Sequence, residues 1–206
     1  MINEKIQFNN VPDENLNNED YIYKVFVSGT KEELAKIAQH HNLSHEQITL
    51  FTYFAKLKKE TQNEMREIIS ERIKNNPRAT DAELNMGTYQ EWIEPQVREA
   101  VLNLRQKGYN TYESGFGGFD SQMISFEDDC LKDFKIPEQI INKFKESGVT
   151  INIKPNRISL IFKNEFNLEE IANFWREVES CLPDLGKVAE PCQLRAANLF
   201  RERQKN

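Results

Sequence analysis

The stretch GYNTYESGFGGFD, residues 108–120, gathers the side chains best suited to chemistry. Glu113, Ser114 and Asp120 stand there among Gly115, Phe116, Gly117, Gly118 and Phe119. Glu113 and Asp120 flank the glycines, so a loop between them would let the two carboxylates approach. Paired carboxylates bind a divalent cation or divide acid and base roles. Such a pair would make the chain a metal-assisted hydrolase with Glu113 and Asp120 as catalytic candidates. Their spacing is not that of a known metal centre, and neither a metal nor a cofactor is expected. GFGG fits neither GxGxxG nor GxxxxGK[ST]. A phosphate-cradling loop also opens a helix, whose first amides face the anion, whereas a strand pattern follows here. The favoured chemistry is contact without catalysis, because Phe116 and Phe119 beside glycines can anchor a partner.

Elsewhere the reactive side chains are scattered. The histidines are His40, His41 and His45, all within one junction. Zinc needs three or four ligands at fixed geometry. Ser44 reads as a helix cap between His41 and His45, which makes these junction residues rather than ligands. Cys130 follows Glu127, Asp128 and Asp129, whose charge raises a thiol pKa. Cys130, Cys181 and Cys192 form an odd set without CxxC, as reduced thiols in a cytoplasm would. Ser114 lacks the Gly-x-Ser-x-Gly elbow. A net charge of −6 disfavours non-specific nucleic-acid or anionic-membrane binding. No apolar run is long enough to span a bilayer, and no secretory h-region is visible. A nucleic-acid reading would rest on Arg157 and on the basic C-terminal residues Arg195, Arg201 and Arg203.

The elements that position these groups follow from local signals. Residues 1–20 are rich in Asn, Asp and Glu and read as a loosely ordered leader. YIYKVFV, residues 21–27, is β-branched and aromatic and predicts a strand. Thr30 with Glu33 and Ser44 with Gln47 are capping boxes for two helices. The polar run KLKKETQNE either breaks the second helix, with Thr61 and Glu64 as a new box, or continues it exposed. Pro77 ends it, and Thr80 with Glu83 suggests one further turn. Pro95 opens a helix striped by Val97, Ala100, Val101 and Leu104, and Gly108 stops it. Strands are predicted at 109–113 and 121–127, joined by a loop of about seven residues from Ser114 to Asp120. On this reading Glu113 and Glu127 lie far apart. Pro137 opens a helix with Ile140, Ile141 and Phe144 inward, and Gly148 ends it. VTINI and RISLIF then alternate about a Pro155–Asn156 turn. Asn167 with Glu170 caps a helix carrying Ile171, Trp175 and Val178, and Pro191 opens a last helix.

The expected fold is α+β. A helical N-terminal segment packs on a mostly antiparallel sheet built from two helix–hairpin repeats, with C-terminal helices. The strand-plus-helical segment 21–90 and the α+β unit 91–206 are read as one compact domain. A hairpin closes in two to five residues, so the long glycine loop is surplus to folding, and surplus loops carry function. The expected protein is therefore a cytoplasmic, non-catalytic binding protein. It meets a protein or small ligand through Ser114, Gly115, Phe116, Gly117, Gly118 and Phe119, with no membrane contact.

Overall fold

The computed structural model describes residues 13–75, 93–187 and 189. The chain divides into two compact units, Met1–Lys59 and Glu60–Asn206. The first begins with a 3-10 turn at Asp13–Asn17, followed by α1 at Glu19–Ser28 and α2 at Lys31–His41. The helix α3, His45–Asn75, starts in this unit. YIYKVFV is thus helical and not a strand. The Asn18 side chain caps α1 by accepting from the Tyr21 amide, and Glu19 and Asp20 favour the positive end of its first turn. Ile22, Val25 and Phe26 fall on one buried helical face. That spacing overrides the β preference of the residue types.

Both boxes at the start of α2 and α3 form. Thr30 and Glu33 exchange side-chain and backbone hydrogen bonds, as do Ser44 and Gln47. The Thr30 amide is the main influence holding the Glu33 carboxyl below its ordinary pKa. His40 and His41 meet the Asn17 side chain and the Leu16 carbonyl through Nε2, tying α2 to the 3-10 turn. α3 runs unbroken through KLKKETQNE, so Thr61 caps nothing. The Lys, Leu, Glu and Gln residues there are good helix formers and need no new start. Pro77, the Thr80–Glu83 box and the helix expected after Pro191 lie outside the described residues.

The second unit contains α4 (Pro95–Gln106), β1 (Thr111–Phe116), β2 (Ser121–Phe126), α5 (Glu138–Glu146), β3 (Val149–Lys154), β4 (Arg157–Phe162) and α6 (Leu168–Cys181). The strands form one antiparallel sheet in the order β1-β2-β4-β3. With six helices among the described residues, the protein is α+β. Gly108 ends α4 at φ 92°, and the amides of Gly108 and Tyr109 donate to the carbonyls of Arg105 and Leu104. That left-handed stop reverses the chain and sends β1 back along α4. Gly148 does the same between α5 and β3 at φ 83°. Asn167 and Glu170 cap α6 as the sequence predicts.

α6 lies between the other two helices. Its Arg176 pairs with Glu99 of α4, and its Glu177 and Phe174 meet Lys143 and Phe144 of α5. Val97, Ala100, Val101, Leu104, Ile124, Phe126, Phe144, Ile158, Leu160, Phe162, Ile171 and Trp175 are buried. Ile141 is not inward as expected. It is 42% exposed, because Phe144 and Ile140 take the covered side of α5. At the opposite end of the unit, Lys107 closes α6. Its Nζ contacts Glu179 Oε1 at 2.6 Å and donates to the carbonyls of Glu179 and Leu182. Among the described residues no helix is long and apolar enough to cross a membrane.

Candidate functional site at the first hairpin

The loop expected from Ser114 to Asp120 is shorter. β1 continues through Ser114, Gly115 and Phe116, so only Gly117–Asp120 connect the strands. The Gly117 amide donates to the Ser121 carbonyl, closing the turn. This is an ordinary hairpin length, and the surplus inferred from the glycine run disappears. Gly115 serves the strand instead. It adopts φ 111°, where an L side chain is strained, and a Cβ there would lie 2.5 Å from Glu94 Cδ and Oε2.

Glu94 is the residue around which this end of the sheet is built. It is buried, one residue before Pro95 opens α4. Its Oε2 accepts from the Phe116 amide at 3.0 Å and from Gln96 Nε2 at 2.6 Å. The pairing pattern explains why that amide is available. Gly117 and Ser121 are hydrogen-bonded partners, so alternation leaves Phe116 facing away from β2, at the sheet edge. At the other end of β1, Arg105 Nη1 donates to the Thr111 carbonyl at 3.1 Å. From Glu94 to Arg105 the helix rises about 16 Å, and from Thr111 to Phe116 the strand advances about 16 Å. α4 and the residue before it therefore latch β1 at both ends.

Behind the tip, Phe116 pairs with Gln122, and Gln122 Oε1 accepts from Trp175 Nε1 at 3.3 Å. These bonds fix the orientation of both buried glutamine amides. They leave Gln96 Oε1 and Gln122 Nε2 without a hydrogen-bond partner. Glu94, Gln96 and Gln122 were not singled out from sequence. The one available signal was an acidic residue at the mouth of a proline-opened helix, and nothing local told its strand partner.

The structure separates the candidate carboxylates. Glu113 pairs with Ser125 along β1, while Asp120 lies beyond Phe116 in the turn. Three strand steps place them about 10 Å or more apart. Glu113 instead lies near Glu127, whose amide donates to the Asn110 carbonyl beside the Thr111–Phe126 pair. The expectation that Glu113 and Glu127 lie far apart is corrected: in an antiparallel hairpin the residue leaving β2 returns beside the start of β1. Asp120 is half-buried, and burial raises its carboxyl above the ordinary value. Phe116 is buried, Phe119 is half-exposed, and Gly117 and Gly118 are exposed. Ser114 is a half-buried strand residue.

The remaining candidates do not join this site. Arg157 Nε donates to Ser125 Oγ at 3.1 Å, inside the sheet. Arg195, Arg201 and Arg203 lie outside the described residues. The Cys130 thiol is pushed up to about 12, first by burial and then by Asp128. Among the described residues no three His, Cys, Asp or Glu side chains stand together as a metal site. No protein-family model, curated protein or solved structure matches this chain.

Proposed function

We propose that this is a non-catalytic binding protein whose contact surface is the tip of the first hairpin, Gly117–Asp120, with Phe119 as its anchor. The observation that carries this reading is the buried Glu94 carboxylate bound to the Phe116 amide at the root of the tip. A turn held in this way loses little freedom on binding, which favours affinity. Exposed Gly117 and Gly118 let a partner approach the backbone closely, and half-exposed Phe119 offers an aromatic face. Gly115 and Phe116 support the tip, and Ser114 lies farther down the strand.

The test replaces Gly117–Asp120 by a two-residue Asn-Gly turn and compares it with the wild type. Each protein is passed through extract of the native host, and retained molecules are identified by mass spectrometry. A ligand or partner held by the wild type and lost from the shortened hairpin supports the reading. Identical retention by both proteins overturns it.

A further inference from the structure

The two edges of the sheet are unlike. β1 is latched by α4, as described above. β3 is the other edge, and its backbone groups alternate in a way the register fixes. The Lys163 amide donates to the Gly148 carbonyl, which makes that pair hydrogen-bonded. By alternation Thr150, Asn152 and Lys154 bond to β4, while Val149, Ile151 and Ile153 turn their N–H and C=O groups outward. Among the described residues nothing bonds to the outward groups of Ile151 and Ile153, and both residues are half-exposed. No proline, bulge or inward charge blocks this strand, and its one charged residue, Lys154, stands at the turn end, bonded to β4.

A helix side chain overhangs the same edge. On α5, Lys143 is turned about 100° from buried Phe144, toward α6, whose Glu177 it meets. Ile141 is turned about 60° the other way, away from α6 and toward the β3 side. It is 42% exposed. α5 and β3 run in opposite directions from Gly148, and Ile141 and Ile151 each lie about 10 Å along from it. A strand edge with unpaired amides thus lies level with an exposed isoleucine on the flanking helix.

We propose that this edge is a docking site for an extended peptide segment of a partner protein, which adds to β3 as a further strand. A row of outward N–H and C=O groups is satisfied by another extended backbone, which is what gives strand addition its affinity. Alternate side chains of the incoming segment point to the helix-covered face and meet Ile141 and Ile153, so those positions are apolar. The intervening ones face the side of Thr150 and Asn152 and are polar. This interface is separate from the tip of the first hairpin and stands without it.

The experiment uses the full chain and a phage-displayed library of random heptapeptides. The expected outcome is recovery of peptides with alternating apolar and polar residues. The bound peptide slows hydrogen exchange of the Ile151 and Ile153 amides at least tenfold. Ile151→Pro removes one outward N–H and spares the β3–β4 ladder, and it weakens binding at least tenfold. Ile141→Glu, on an exposed helix position, weakens it similarly and guards against a proline variant that fails to fold. Recovery of no peptide, or of peptides indifferent to both substitutions, overturns the proposal. So does a dimer of the wild type that Ile141→Glu dissolves, since a second copy would then be the occupant.

Discussion

Replacing Gly115 by alanine tests whether the Glu94 latch organises the first hairpin. The new Cβ meets the Glu94 carboxyl group at 2.5 Å, and φ is 111°. The backbone strain costs about 1–2 kcal/mol. Displacing the carboxylate from the Phe116 amide removes a charge-assisted bond and leaves a buried donor, for about 1.5–3 kcal/mol more. Glu94→Ala alone loses that bond and the Gln96 bond, for about 2–4 kcal/mol. In the Glu94→Ala background the alanine at 115 has no carboxylate to displace, so only the strain remains. The two substitutions should therefore be less than additive by about 2 kcal/mol. Urea unfolding of the four proteins, followed by fluorescence with buried Trp175 as a reporter, measures this coupling. Additivity within about 0.5 kcal/mol would refute the argument. So would a Gly115→Ala cost below about 1 kcal/mol, since the strain alone exceeds it.

Three further outcomes follow from other groups. Lys107→Met leaves the nearly buried Glu179 carboxylate and two carbonyls without their cation, and urea unfolding should show a loss of about 3 kcal/mol. Burial raises the Asp120 pKa above 3.8, so the folded state takes up its proton more readily and the charged form opposes folding at neutral pH. Asp120→Asn should therefore raise the melting temperature at pH 7, with the gain fading as pH falls and absent below 3.8. Iodoacetamide at pH 8, followed by peptide mass spectrometry, should alkylate Cys130 at least about tenfold more slowly than an unperturbed thiol, because burial pushes its pKa up and leaves little thiolate.

What the sequence revealed was local, and what it hid was not. Thr30–Glu33, Ser44–Gln47 and Asn167–Glu170 act within one helical turn, and all three formed. Gly108 and Gly148 stop their helices through left-handed backbone, and VTINI with RISLIF paired about the expected turn. YIYKVFV misled because its composition favours a strand, while its burial follows helical spacing after the Asn18 cap. The glycine run misled for a different reason. The clustered glycines suggest a wide loop, yet Gly115 lies within β1 at positive φ and leaves room for Glu94 from another element. Likewise Phe116 looked like an exposed anchor and is a buried strand residue. Half of the expected contact set, Gly117, Gly118 and Phe119, does lie at the hairpin tip with some exposure.

The central seam of the sheet bears on how the chain is made. β1–β2 and β3–β4 are each closed by a short turn, so each hairpin can form from neighbouring residues. The β2–β4 pairing is different: Ser125 and Arg157 meet across 32 residues. Closing that interval carries a larger entropic cost than either turn, so joining the two hairpins is expected to be slower than forming either one. During synthesis, a chain that has not reached β4 holds β2 with one edge unpaired and Gln122 and Ile124 awaiting their partners. That nascent half is the form most open to aggregation, and the arrival of β4 ends the exposure by turning β2 into an interior strand.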